Sequence, residues 1–216
     1  MSKLFSYIFP VTKKVQSDYN GILEITWYNG KKHLDAPNAN YSYGNLQKVL
    51  KSGLQKIDLT NVKHVLLLGL GGGSVIETLR CDFQCNAFVT AIELDHKIIE
   101  IAKTEFGWAN DPNLTMVCED AYTFIKGHKD LYDLVIVDLF IDTKVPDKFL
   151  EPAFWEDVIK VLSIGGTLLF NASMEQNDRI KIAAIMGQLE QNSLNLQLLE
   201  NVLGINTLVL AKKPER

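Results

Sequence analysis

Three acids and one glycine cluster in this chain combine residue types that could bind and activate a small ligand. The cluster is Gly69-Leu70-Gly71-Gly72-Gly73-Ser74, and the acids are Glu93, Asp120 and Asp138. Glycines let a backbone approach a ligand closely, and a helix starting just beyond them offers unpaired N–H groups. Glu93 lies about 20 residues past the turn, where nucleotide-binding folds place the carboxylate that takes ribose hydroxyls. The spacing Gly69-x-Gly71-x-Gly73, with Ser74 in the sixth place, departs from the Gly-x-Gly-x-x-Gly of dinucleotide sites. A ligand with a ribose diol and no pyrophosphate suits this turn better, and S-adenosylmethionine is such a ligand. Asp120 follows an apolar run and can cap the next helix, and Asp138 ends another.

These residues need strand ends to hold them. Val65–Leu68 is an apolar run bounded by glycine, the pattern of a strand buried on both faces. Strands are expected at 87–93, 114–117, 134–137 and 167–170, the last entered through a Gly165-Gly166 turn. Helices are expected at about 74–80, 121–126, 153–162 and 177–191. Another carries Ile98, Ile99, Ile101, Ala102 and Phe106 and stops at Gly107. Such alternation gives a parallel sheet wrapped by helices. Strands at 194–200 and 206–211 are joined too closely for a parallel crossover, so one of them runs antiparallel. The expected fold is therefore α/β, a seven-stranded Rossmann-like sheet of the class I methyltransferase type, order 3-2-1-4-5-7-6. Ligands sit outside the carboxyl ends of such strands, where Gly69, Glu93, Asp120 and Asp138 fall.

Residues 1–44 read as a separate small β unit, with 45–216 forming the ligand-binding domain. Ile22, Ile25 and Trp27 alternate with polar neighbours, Asn29-Gly30 signals a hairpin, and Lys31–Leu34 is the return strand. Residues 37–44 read as a loop, followed by a helix carrying Leu46, Val49, Leu50 and Leu54. A two-stranded unit needs a covering surface, so the unit is expected to lid the site or help form a homodimer.

The chain has 216 residues and a net charge of −4, which argues against extensive nucleic-acid binding. Met1–Pro10 is too short and broken for a signal peptide, and no run is long enough to span a bilayer. Cys81, Cys85 and Cys118 read as reduced buried thiols of a cytoplasmic protein. His33, His64, His96 and His128 fit no metal spacing, so no metal is expected. Trp27, Trp108 and Trp155 read as core anchors.

The chain resembles the spermidine synthase superfamily over nearly its whole length. The family's Gly-Gly-Gly-Asp-Gly-Gly aligns on Gly69–Ser74, its second acidic motif on Ile92-Glu93-Leu94-Asp95, and its later aspartate on Glu119-Asp120-Ala121. Its Phe-Ser-Tyr-Gln-Glu-Met aligns on Tyr41-Ser42-Tyr43-Gly44-Asn45-Leu46, and its catalytic Asp-Ser-Ser-Asp-Pro on Asp138-Leu139-Phe140-Ile141-Asp142. The resemblance implies a cofactor site of Gly69, Leu70, Gly71, Gly72, Gly73, Glu93, Leu94, Asp120 and Ala121. Glu93 would take the ribose and Asp120 the adenine amine. Asp138 would be catalytic, with Tyr43, Leu139, Phe140 and Asp142 toward the acceptor.

Three departures remove polar groups that would hold a diamine or an aminopropyl amine. Gly72 replaces the motif aspartate, Gly44 the glutamine, and Ile141 the second catalytic aspartate, with Asp142 one place late. An aspartate at 72 would face the amine of the aminopropyl arm and repel the carboxylate of S-adenosylmethionine. Together with Phe106-Gly107-Trp108, this resembles spermidine-synthase-like methyltransferases. The sequence thus points to an S-adenosylmethionine-dependent methyltransferase with a small-molecule or protein acceptor. An aminopropyltransferase using decarboxylated S-adenosylmethionine, or a non-catalytic nucleoside-binding or interaction protein, stays open.

Overall fold

A computed structural model describes residues 2–36, 39–42, 44–141, 144–172, 179–204 and 206–215. In chain order the elements begin with α1 (Ser2–Phe5), β1 (Val11–Gln16), β2 (Ile22–Tyr28), β3 (Lys31–Ala36), β4 (Ala39–Ser42) and α2 (Asn45–Leu54). Next come β5 (His64–Leu68), α3 (Ser74–Glu77) running into a π turn (Thr78–Asp82), β6 (Phe88–Glu93) and α4 (His96–Thr104). A 3₁₀ turn (Trp108–Asn110), β7 (Leu114–Cys118), α5 (Ala121–Ile125) and β8 (Tyr132–Val137) follow. The chain closes with a second 3₁₀ turn (Asp147–Leu150), α6 (Pro152–Val161), β9 (Leu162–Ala172), α7 (Arg179–Gln191), β10 (Asn195–Val202) and β11 (Asn206–Lys212).

The large sheet has the order β10-β11-β9-β8-β5-β6-β7. Counted from β5 this is 3-2-1-4-5-7-6 read from the far edge, as expected. β5 to β9 are parallel neighbours, and β11 runs antiparallel to both β9 and β10. The apolar run of β5 is continuous because both faces are covered. Val65 and Leu67 pack with residues of α2, α3 and α4, while Leu66 and Leu68 pack with α5, α6 and α7. The chain reverses direction across the sheet at β5, between β6 and β8, so the crevice above these strand ends is the natural ligand site.

The N-terminal unit is larger than the hairpin read from the sequence. It is a four-stranded antiparallel sheet, β1-β2-β3-β4. The hairpin itself is present: Tyr28 pairs Lys31, and Asn29 and Gly30 take φ values of 48° and 75°. That geometry is the primed turn that matches strand twist. The Ser6 carbonyl and hydroxyl accept from the Asn29 and Gly30 N–H groups at 3.1 and 3.0 Å, clamping the turn. β1 escaped detection because its residues are almost all exposed and give no period-two signal. β4 lies in the stretch read as a loop and pairs with β3 after a register shift.

The unit packs on α4. Leu23, Ile25 and Leu34 meet Ile98 and Ile101, while Ile99 and Ala102 on the same helix face the main sheet. The apolar residues of α4 thus serve two cores. Glu105, just past α4, holds Lys13 at 2.7 Å and Lys32 at 2.9 Å.

Other details differ from expectation. Gly165 and Gly166 lie inside β9, where Gly165 has φ 75° and the register with β8 shifts, so they form an irregularity rather than a turn. Of the cysteines only Cys85 is buried; Cys81 and Cys118 are exposed, and all three are free. Of the tryptophans only Trp155 is fully buried. Trp27 and Trp108 are half-buried. Among the described residues no helix is long and apolar enough to cross a membrane.

Deleting residues 1–44 would uncover Ile98 and Ile101, each worth about 1.5–3 kcal/mol of burial. The expected result is a melting temperature lower by about 10 °C and new binding of a hydrophobic dye. Unchanged melting and no dye binding would show that the N-terminal sheet does not stabilise α4.

Candidate functional site

The glycine turn joins β5 to α3 at the centre of the sheet. Gly69 has φ 96°, and a Cβ there would overlap the Asp138 carbonyl oxygen. Only glycine fits. Gly69 N–H donates to Ile92 O and Asp138 N–H to Leu68 O, both at 2.9 Å, so three strand ends stay level. Behind the turn, the Trp108 indole N–H donates to Gly72 O at 3.0 Å, and a Cβ at Gly73 would overlap the indole.

Glu93, ending β6, holds the front of the turn. Its Oε2 accepts from the N–H groups of Leu70 (3.2 Å) and Gly71 (3.3 Å), and its Oε1 from Asp95 N–H at 3.1 Å. Burial raises the proton affinity of Glu93, the three N–H groups oppose that, and Asp95 adds to it; the net shift is upward. A carboxylate has about four acceptor sites, so one remains for a ribose hydroxyl. Taking the second hydroxyl requires release of one turn N–H.

Asp95 is 2% exposed and caps α4, accepting from Lys97 N–H at 2.8 Å. Its other oxygen accepts from the Ser17 hydroxyl and from the Asn20 amide, the latter at 2.9 Å. Ser17 Oγ in turn accepts from the N–H groups of Tyr19 and Asn20. This knot fixes the β1–β2 loop, so that Tyr19 and Asn20 form one wall of the cleft.

Asp120 caps α5 as expected, its Oδ1 accepting from Tyr122 N–H (3.0 Å) and Thr123 N–H (3.2 Å). Its Oδ2 is paired with the Lys148 ammonium, which reaches across from the second 3₁₀ turn. An adenine amine would therefore share or displace that cation.

Asp138 follows β8. Its Oδ1 accepts from the Asn171 amide at 2.8 Å. Burial pushes its carboxyl up to about 6, against the opposing Asn171 hydrogen bond. No backbone N–H is bonded to its carboxylate among the described residues, unlike those of Glu93, Asp95 and Asp120.

These groups surround one cleft, whose space counted out to solvent is about 870 Å³, within the range of small-molecule sites. Gly69, Gly71, Glu93, Leu94, Asp120 and Ala121 line it, as do Asp138, Leu139 and Phe140. Leu70, Gly72 and Gly73 do not. Leu70 is 3% exposed in the core, and the two glycines are buried against Trp108. Tyr43 and Asp142 lie outside the described residues. Ile141 lines the cleft at the position of the missing aspartate. Sequence reasoning missed Ser17, Tyr19, Asn20, Lys148, Asn171 and the structural role of Trp108. Only Ser17 and Asn20, before Gly21, carry a local turn signal.

A family model described as spermine/spermidine synthase domain matches residues 48–196. The chain belongs to the spermine/spermidine synthase domain family. Within the family's reach, a polyamine aminopropyltransferase of Alkaliphilus metalliredigens is 28% identical over 114 residues, covering 50% of this chain and 39% of the relative. An eEF1A lysine and N-terminal methyltransferase of Danio rerio is 28% identical over 142 residues, covering 57% of this chain and 20% of the relative. The chain thus matches well under half the length of these relatives. Human methyltransferase-like protein 13, solved with SAH, aligns with a TM-score of 0.64 at 20% identity, over 79% of this chain and 83% of that one. The family is one of transferases, and the fold is the class I methyltransferase type.

The Asp138 carboxyl is raised from 3.8 to about 6 in the folded protein. A raised acid is favourable below its unfolded value and unfavourable once ionised, so the native state loses stability as pH climbs from about 4 to about 6. Asp138→Asn keeps an acceptor for Asn171 and removes the charge. It should be more stable than wild type at pH 8, by on the order of 2 kcal/mol in urea unfolding, with the gap closing at pH 4. An equal gap at both pH values would refute the burial assignment.

Proposed function

We propose that this protein is an S-adenosylmethionine-dependent methyltransferase with an amine acceptor. One observation carries the reading: a poorly solvated carboxyl, Asp138, stands at the cleft beside a glycine turn that has no acidic side chain. The aminopropyl arm of a decarboxylated cofactor is cationic and needs an anion beside it. The turn over 69–73 has no acidic side chain, and its Leu70 and Gly71 N–H groups, held by Glu93 until a ribose hydroxyl displaces them, suit a carboxylate instead.

The residues present fit the cofactor. Glu93 retains acceptor capacity for the ribose, and each turn N–H that it exchanges for a hydroxyl becomes available to the ligand. Leu94 and Phe140 supply apolar walls, and Asp120 an acceptor for an amine. When bound, S-adenosylmethionine supplies a methyl carbon that is electrophilic because it is attached to a sulfonium.

Among the described residues, Glu93, Asp95, Glu119, Asp120 and Asp138 line the cleft against one cation, Lys148, already paired with Asp120. Beside Asp138 that field favours a cationic amine as the acceptor. Asp138 removes a proton from the ammonium and becomes neutral, leaving a lone pair on nitrogen for the methyl carbon. A base with a proton affinity near 6 is suited to this work near neutral pH. The remaining contribution is alignment.

Aminopropyl transfer is the second reading, favoured by the names of several relatives and by Asp138 in the first place of the catalytic stretch. Two calorimetric titrations separate them. S-adenosylmethionine should bind at least about tenfold more tightly than its decarboxylated form, about 1.4 kcal/mol. Tighter binding of the decarboxylated form would overturn the methyltransferase reading. With an amine acceptor, kcat/KM should fall below pH about 6 as Asp138 takes up its proton, and Asp138→Asn should lose at least about a hundredfold in kcat. An amine panel giving no turnover despite tight cofactor binding would leave a nucleoside-binding protein.

A further inference from the structure

Asn171 stands in β9 among fully buried apolar neighbours, Leu168, Leu169, Phe170 and Ala172, and is itself 0% exposed. A buried amide is costly unless its donors and acceptor are matched, and leucine of similar size would fill the same place without that cost. Its Nδ2 donates to Asp138 Oδ1 at 2.8 Å, and its Oδ1 accepts from Asn206 Nδ2 at 2.7 Å. Asn206 opens β11, the strand paired with β9. Two amides thus run from the cleft, across the sheet, to a half-buried position away from it.

The chain of amides has a direction. An ionised carboxylate only accepts, so the Asn171 amide must turn its NH₂ toward Asp138. Its oxygen then faces Asn206, which must donate. An acceptor-only group at 206 would favour the reverse arrangement, with the Asn171 oxygen against Asp138.

We propose that Asn171 and Asn206 form a directional amide relay that fixes Oδ1 of Asp138, favours its carboxylate form and leaves Oδ2 for the acceptor. Asn171 and Asn206 are positioning residues, and Asn206 acts only through Asn171. The catalytic consequence rests on the proposed transfer reaction; the relay itself does not.

Among the described residues, the other ionisable groups around the cleft are few. The β5 turn contributes none. The end of β6 brings Glu93 and Asp95, the end of β7 Glu119 and Asp120, the second 3₁₀ turn Lys148, and the β1–β2 loop Tyr19. None of these is hydrogen-bonded to Asp138, so Asn171 is the group whose change should be read most directly in its titration.

The test is a carbon-13 NMR titration of ligand-free protein labelled at aspartate carboxyl carbons. The Asp138 signal is assigned by its loss in Asp138→Asn. Asn171→Leu should raise the proton affinity of Asp138 about tenfold, roughly one pH unit. Asn206→Asp should raise it at least as much, and Asn206→Ala less. In the Asn171→Leu background, Asn206→Asp should add little, because the amide through which it acts is gone. The acid limb of kcat/KM should move with the titration while cofactor affinity stays constant.

An Asp138 midpoint unmoved by Asn171→Leu would overturn the relay. So would an Asn206→Asp effect that persists undiminished without Asn171, since charge alone would then explain it. Should Asn171→Leu fail to fold, Asn206→Ala and Asn206→Asp still decide: no shift in either ends the proposal. A shifted titration with no methyl transfer to any amine would instead count against the proposed reaction and leave the relay standing.

Discussion

At residue 69 the chain has no room for a methyl group. The carbonyl oxygen of Asp138 already fills that space, and the backbone there takes a positive φ that L side chains rarely adopt. The closeness brings the ends of β5 and β8 together, with β6 tied in through Gly69 N–H. Glu93 and Asp138 therefore emerge on either side of a turn that cannot relax outward, because Glu93 holds it in front and Trp108 behind. A substitution at 69 would displace the proposed base and Glu93, the proposed ribose acceptor, together.

Placing several acids around one cleft is costly unless each is compensated, and the compensation differs among them. Glu93, Asp95 and Asp120 all accept from backbone N–H groups, two of them at helix N-termini where a negative charge is favoured. Asp120 has Lys148 as well. Asp138 has one side-chain amide. The difference sets three carboxylates held by backbone N–H groups apart from one, Asp138, that has none among the described residues and whose carboxyl burial pushes up to about 6. Nothing about an isolated Asp or Glu in the sequence makes that division; it follows from what the backbone does around each.

The parallel sheet was legible because burial on both faces writes a continuous apolar run at 65–68, and because helix lengths separate the strands. Glu93 and Asp120 were legible for a local reason, a fixed distance from the glycine turn and a cap position. β1 was not, since an edge strand with exposed residues on both faces has no periodicity to read. Asn171 and Asn206 lie 35 residues apart and meet only because β11 pairs with β9. The sequence also could not tell which glycines face the ligand. Gly71 lines the cleft while Gly72 and Gly73 turn away, and the deciding group, Trp108, comes from a separate turn after α4.

Asp95 belongs to two structures at once, as the cap of α4 and as the dock for Ser17 and Asn20. Its own N–H is bonded to Glu93. Any ligand that strengthens or reorients Glu93 therefore acts, through one peptide group and one carboxylate, on the attachment of the N-terminal sheet. Linkage makes the effect mutual: docking of that sheet must change ligand affinity by the factor by which ligand changes docking. The N-terminal strands would then share in the free energy of binding, and amide hydrogen exchange at Tyr19 and Asn20 is where their share would be read. Identical exchange with and without cofactor would mean that the two halves fold side by side without exchanging free energy.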